Sequence, residues 1–263
     1  MSMQGKVCVV TGGALGIGQC LTREFAKRGC KIAFLDKDRA AGEKNLDWLH
    51  AHGFEALFVH GDAGKQQDLE RFAHNVTSHY GQVDILLNNA CFSNRGLQSA
   101  CGYEDFLEVL RVGVAAPYYL TQLFLPVFTP YASIVNLSST RARQSQADTE
   151  SYTAAKGGIS ALTHAMAVSL SGKVRVNSIS PGWIETQGTR EETFCPHYSK
   201  GDLLQHPSAR VGTPEDIARA ALFLCEEEND FINAADLVVD GGMSHLMVYH
   251  ADKGWEYHPD FHE

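Results

Sequence analysis

The chain has 263 residues, of which 44% are apolar and 20% charged, and it carries a formal net charge of −9. This is the composition of a globular protein with ample core, and the acidic balance argues against nucleic acid, whose phosphates demand a basic surface. No apolar run approaches the roughly 20 residues of a membrane span, and the first strand starts too close to Met1 to leave room for a secretory signal.

The first predicted element is the strand KVCVVTG, followed at once by the turn T11-G-G-A-L-G-I-G18 and a helix over about 16–29. Gly12, Gly16 and Gly18 permit a tight turn and close backbone approach to a pyrophosphate, which the helix N-terminus then favours. Leu15 and Ile17 fill the same turn. The second strand, KIAFLD, ends in Asp36, 24 residues after Gly12. A carboxylate there accepts ribose hydroxyls and repels a 2′-phosphate, which points to NAD. Lys37 is the dissenting residue, since a cation just after that strand could meet such a phosphate.

Helical patterns over 38–52, 65–80, 103–128, 151–171 and 214–227 alternate with the strands EALFVHGD, DILLNNA, SIVNLSS, RVNSISPG and DLVVDGG. The strand runs are almost continuously apolar, as parallel strands covered on both faces require. Seven strands with six intervening helices make one α/β domain over 1–263, a Rossmann-type doubly wound parallel sheet with helices on both faces. Two segments break the rhythm. Residues 183–213 form a long connection without a clear strand, as lids do, and the tail 243–263 carries Tyr249, Trp255, Tyr257 and Phe261, aromatic enough to pack on this subunit or a neighbour.

Seven scattered cysteines without a C-x-x-C pair read as reduced thiols of a cytoplasmic protein. No metal site is expected. The histidines of the tail (His245, His250, His258, His262) read as a polar surface.

The chemistry lies in SYTAAK. Tyr152 and Lys156 stand one helical turn apart, so a helix puts phenol and ammonium on one face. A cation against a phenol favours the phenolate, and a cationic oxidised nicotinamide would add to that pull. Ser139, 13 residues before the tyrosine, can hold a substrate oxygen. Together they suit moving a proton while a dinucleotide moves a hydride.

From Lys6 to about Gly242 the chain resembles the short-chain dehydrogenases/reductases, in their single-domain branch. The motifs that carry the resemblance are TGGALGIG, Asp62-Ala63, Asn88-Asn89-Ala90, Ser139, Tyr152 with Lys156, and P181-G-W-I-E-T186, in the family's order. The resemblance implies catalysis by Ser139, Tyr152 and Lys156, with Tyr152 as general base or acid and Lys156 lowering its pKa while reaching the nicotinamide ribose. It implies Asp62 and Ala63 at the adenine, Asn89 at the adenosine ribose, and the Pro181-Gly182 segment with Ile184 and Thr186 at the nicotinamide. Leu15 stands where NADP-preferring relatives often carry a basic side chain. The resemblance also implies a substrate-covering loop at 183–213 and a homotetramer or dimer built on the helices flanking SIVNLSS.

Three departures stand out. Gly113 replaces the family's asparagine; glycine can keep the helix distortion found there but supplies no amide. Cys91 follows Asn88-Asn89-Ala90 where glycine is usual, and the turn before the last strand, Phe231 to Ala235, lacks its usual glycine. The leading expectation is an NAD-dependent dehydrogenase for a secondary alcohol of a sugar, polyol or small cyclic compound. Reduction of a 3-oxoacyl thioester with NADPH and a catalytically weak dinucleotide-binding sensor remain alternatives. Arg95, Arg141 and Arg143 near the mouth could orient an anionic group, while Trp183, Phe194, His197 and Tyr198 on the lid suit a sugar ring or a steroid equally.

Overall fold

A computed structural model describes residues 3–191, 193–249, 251–252 and 256. The strands β1 (Val7–Thr11), β2 (Lys31–Asp36), β3 (Ala56–His60), β4 (Val83–Asn88), β5 (Phe128–Leu137), β6 (Val174–Pro181) and β7 (Asp236–Val239) form one parallel sheet in the order β3-β2-β1-β4-β5-β6-β7. The order reverses between β1 and β4, and the crevice beyond their C-terminal ends is where such sheets bind ligands.

The apolar strand runs exist because each strand feeds two cores. In β1, Val7 and Val9 enter one core while Cys8 and Val10 enter the other. The first core is closed by α3 (Gln66–Tyr80), α5 (Ala116–Phe124) and α6 (Glu150–Ser169), through Phe72, Leu120, Phe124 and Met166, while α4 (Tyr103–Leu110) packs on α6. The second is closed by α1 (Gly16–Lys27), α2 (Arg39–Ala51) and α8 (Pro214–Cys225), through Leu21, Phe25, Leu49 and Ile217. Full burial of each large side chain stabilises by about 1.5–3 kcal/mol, so both faces hold the sheet. α2 starts at Asp38, whose carboxylate accepts the Ala41 amide at 3.0 Å.

The helix expected over 103–128 is corrected. A π-turn at Arg111–Ala115 separates α4 from α5, α5 stops at Phe124, and β5 already begins at Phe128. The aromatic and β-branched residues of F128-T-P-Y suit an extended chain better than a last helical turn. Among the described residues of the long connection 183–213 there is no strand. The connection holds a 3₁₀ turn at Gln187–Thr189 and a short helix, α7 (Lys200–Leu204), and is pinched at its base by a bridge between Ile184 and Gly212. Of the tail, Met247 and Tyr249 are exposed, while Met243, Leu246 and Val248 are partly buried. Trp255, Tyr257, Phe261, His250, His258 and His262 lie outside the described residues.

Cys8, Cys20, Cys30 and Cys225 are buried and unpaired. Burial pushes the thiols of Cys20, Cys30 and Cys225 up to about 12. A pKa raised on folding contributes stability that is whole below the unfolded thiol value of about 8.5 and is lost as pH climbs through the folded one. The melting temperature is therefore expected to hold to about pH 8 and then fall progressively towards pH 12. Cys225→Ala should flatten part of that fall; an unchanged slope would show that the thiols do not drive it.

Candidate active site

The glycine turn after β1 is shaped by contact as well as by φ. A Cβ on Gly18 would sit 1.9 Å from the Gly12 carbonyl oxygen, which leaves no room for any other residue. Gly12 and Gly16 have φ of 65° and 59°, the left-handed region that glycine enters without strain. Asn89 braces the turn from β4, its amide donating to the carbonyls of Thr11 at 3.1 Å and Gly12 at 2.9 Å. Asp36 braces it from β2, accepting the Ala14 amide at 2.9 Å.

Beside the turn lies a cleft of about 340 Å³. Gly12, Leu15, Ile17, Asp36, Lys37, Asp62, Ala63, Asn89 and Thr186 all line it. Asp62 also accepts the Gly64 amide at 2.9 Å, which fixes its loop. The Lys37 ammonium lies 5.0 Å over the Phe92 ring, across the mouth, a cation–π contact that engages its charge. Asp38 and Arg190 line the same cleft and were not anticipated. Asp38 carries a helix-cap signal in the sequence, but nothing in the lid's composition marks Arg190.

Five expected cofactor contacts, Gly16, Gly18, Pro181, Gly182 and Ile184, stand apart from this lining, as do Tyr152 and Lys156. Gly16 turns its amide to the lid, donating to the Thr189 hydroxyl at 2.7 Å, and Thr189 in turn donates to the Thr186 carbonyl at 2.7 Å. Ile184 packs against the α1–α8 core and pairs with Gly212. Pro181 closes β6 and Gly182 abuts Asp240. These last three shape the loop from behind the cleft. The cradle fits a dinucleotide: a hydroxyl oxygen already sits on a first-turn amide of α1, where a phosphate oxygen is favoured, and a carboxylate stands at the far end of the cleft.

At the other end, β5 runs out at Leu137 and delivers Ser139, while α6 delivers Tyr152 and Lys156 one turn apart. The Ser138 hydroxyl donates to the Lys156 carbonyl at 3.0 Å and pairs with Ser160 at 2.7 Å, tying strand to helix. Lys156 is buried, its ammonium donating to the Leu137 carbonyl at 2.6 Å and lying 5.4 Å from the centre of the Tyr152 ring. Desolvation works to lower the Lys156 pKa, but the adjacent Cys91 and Tyr152 groups outweigh it and the net shift is upward. The lysine stays charged. Cys91 also lines the cleft, so it joins the two halves of the site.

Tyr152 corrects an expectation. Burial raises its pKa, and the opposing pull of Lys156, Ser139 and Arg141 does not overcome it. Without a bound cofactor the phenol is therefore held protonated, because the fold desolvates it more than one neighbouring ammonium compensates.

Gly113 lies inside the π-turn, so the helix distortion is kept without an asparagine. A Cβ at this position would come 2.9 Å from the Cβ of Ala155, on the helix that carries Tyr152 and Lys156. Gly113→Asn is therefore expected to lower the melting temperature and leave turnover no higher. Adding Ala155→Gly should recover part of the stability beyond the ~1 kcal/mol that glycine costs a helix. A 100-fold gain in turnover for Gly113→Asn would mean that the natural residue impairs the site.

Comparisons with known proteins agree with this geometry. The family model described as enoyl-(acyl carrier protein) reductase matches residues 12–244. An uncharacterized oxidoreductase of Thermotoga maritima is 38% identical over 253 residues, covering 94% of this chain and 99% of the relative. L-fucose dehydrogenase of Mus musculus is 34% identical over 245 residues, covering 90% and 88%. A 3-oxoacyl-[acyl-carrier-protein] reductase of Chlamydia pneumoniae is 30% identical over 249 residues, covering 93% and 99%. Among solved structures, an apo SCOR enzyme from Clostridium thermocellum superposes with a TM-score of 0.86 at 38% identity, covering 98% and 100% of the two chains. A 7α-hydroxysteroid dehydrogenase complexed with NADH and 7-oxo glycochenodeoxycholic acid gives 0.83 at 31% identity, covering 92% and 95%.

Proposed function

Because the chain belongs to the short-chain dehydrogenase/reductase family, oxidoreductases acting on CH–OH or carbonyl groups, we propose that it is an NAD-dependent dehydrogenase for a secondary alcohol of a sugar, polyol or small cyclic compound. The observation that carries the cofactor preference is the carboxylate of Asp36 at the end of β2, joined on the cleft wall by Asp38. Two carboxylates there accept ribose hydroxyls and repel a 2′-phosphate, and the nearest lysine is engaged on Phe92. The neighbour bound to NADH and the L-fucose dehydrogenase relative support the same reading.

The oxidised nicotinamide, when bound, supplies the hydride acceptor and a positive charge. The remaining work belongs to the chain. Ser139 holds the substrate oxygen, and Tyr152 takes the hydroxyl proton as the alcohol gives up its hydride and becomes a ketone. Lys156, fixed by the Leu137 carbonyl, holds its charge beside the phenol and has protons left for the nicotinamide ribose. Free buried thiols suit a cytoplasmic enzyme, and among the described residues no helix is long and apolar enough to cross a membrane. Tyr118 and Val168, exposed on α5 and α6, suit assembly into a homotetramer or dimer.

The direct test is titration of NAD(H) against NADP(H), followed by turnover of sugar, polyol, steroid and 3-oxoacyl substrates with the preferred dinucleotide. Preference for NAD with alcohol oxidation is expected. The second reading, reduction of a 3-oxoacyl thioester with NADPH, is favoured by the matching family model and the acyl-carrier-protein reductase relative; it requires Lys37 to leave Phe92, or Arg190 to take the phosphate. Cofactor binding with no turnover across the panel would leave a sensor.

A further inference from the structure

We propose that the substrate carries a carboxylate close to its reacting carbinol, and that Arg141 recognises it. The inference rests on the dehydrogenase reading above and narrows its substrate class. Arg141 sits two residues beyond Ser139, in a 3₁₀ turn whose first bond is its own amide to the Ser139 hydroxyl at 3.2 Å. Its half-buried side chain places the guanidinium carbon 5.7 Å from the centre of the Tyr152 ring. The cation is thus held beside the Tyr152 ring, on a residue whose backbone is tied to Ser139.

Among the described residues that cation forms no ion pair; its side chain donates to the neutral amide oxygen of Gln146 and lies beside the Tyr152 ring. Arg143, two residues on, differs: it pairs with Asp236 at 3.1 Å. The acidic side chains nearest in sequence are also committed. Asp148 accepts the amides of Gln98 and Ser99 at 3.0 Å each, and Glu150 accepts that of Leu97 at 3.2 Å. These bonds stitch the loop after β4 to the start of α6, where the Arg95 carbonyl accepts the Ser151 hydroxyl at 2.6 Å. Arg95 is exposed on this loop and likewise without an ion pair among the described residues. A chain with a net charge of −9 therefore keeps two uncompensated guanidinium groups on segments fixed either side of its catalytic phenol.

A guanidinium has five donors in a planar fork that matches a carboxylate bidentately. With Ser139 on the reacting oxygen and Arg141 beside the same ring, the carboxylate falls within a few bonds of the carbinol. The class is a hydroxy acid or sugar acid, oxidised to the corresponding oxo acid as its hydride passes to NAD and its hydroxyl proton to Tyr152. A single fork serves a planar monoanion better than a phosphate dianion, which calls for more donors.

The test compares hexonates with the corresponding hexitols, and with hexose 6-phosphates as a third arm, in the wild-type enzyme with NAD. Hexonates are expected to give kcat/KM at least 100-fold above their hexitols. Arg141→Gln should raise KM for the hexonates and erase most of that preference, Arg141→Lys should restore part of it, and Arg143→Gln should leave it in place. An arginine that served only the phenol would instead shift the pH profile and slow acids and polyols alike, which would overturn the proposal. Equal or better turnover of hexitols, or preference for the phosphates, would overturn it while leaving the dehydrogenase reading intact. If nothing turns over, that reading fails. Calorimetric titration of hexonate into the enzyme–NADH complex, lost in Arg141→Gln or unchanged by it, then decides the carboxylate site alone.

Discussion

Tyr152→Phe should lower turnover by about 10³-fold, within the range that a positioned acid–base group contributes, and leave NAD binding within a few-fold of the wild type. The phenol oxygen is the group placed to exchange a proton with the substrate, whereas the ring fills its place on α6 with or without it. The variant also isolates the titration. In the cofactor-free enzyme, burial holds the Tyr152 proton above the ordinary tyrosine range. The wild-type minus Tyr152→Phe ultraviolet titration should show a phenol ionising above about pH 10. Saturating NAD brings a second positive charge and should move that ionisation down, whereas NADH should not. Alcohol oxidation is then expected to rise with pH as the bound-state phenol loses its proton, and ketone reduction to fall. A difference titration unmoved by NAD would mean that the cofactor's charge does not reach the phenol.

The second large effect concerns the choice of dinucleotide. Asp36 has two duties: its oxygens hold the amides of Ala14 at 2.9 Å and Asp38 at 3.0 Å, and the carboxylate's charge faces the cleft. Asp36→Ala removes both and should weaken either dinucleotide. Asp36→Asn keeps an acceptor for Ala14 but loses the charge. It should cut NAD affinity by about 10-fold, consistent with the ~1.5–3 kcal/mol of a hydrogen bond to a charged group, and tighten NADP binding. A combined change of about 100-fold in the NAD:NADP ratio is expected, read by fluorescence titration of the reduced cofactors. An unchanged ratio would move the deciding role to Lys37 and Arg190.

The strands were legible because both faces of each are covered, and a continuous apolar run such as V7-C-V-V10 has few other uses. The meeting of Ser139, Tyr152 and Lys156 was legible because one helix fixes the Tyr152–Lys156 spacing and the end of β5 places Ser139. The split between α4 and α5 was legible only through the resemblance, which implies a helix distortion at Gly113, whereas the stop of α5 at Phe124 was not. Nor was the direction of the Tyr152 shift. Four-residue spacing reveals the neighbouring cation, but desolvation is set by everything the fold stacks around the ring. Arg190 and Thr189 belong to a lid whose path follows from its pinched base at Ile184 and Gly212, a pairing of residues 28 apart with no local signature.

On the proposed dinucleotide reading, a pyrophosphate oxygen taking the Gly16 amide would displace the Thr189 hydroxyl, so cofactor entry would be an exchange rather than an addition. The turn loses one hydrogen bond as it gains another, so neutral hydrogen bonding contributes little net affinity at this amide. What remains favourable is the charge of the pyrophosphate at the helix end, a quantity that salt screens. An enzyme arranged in this way holds its dinucleotide with a salt-sensitive grip and has a side chain of its own to refill the donor at each departure. Release of the spent cofactor then begins from a lid that already has somewhere to land.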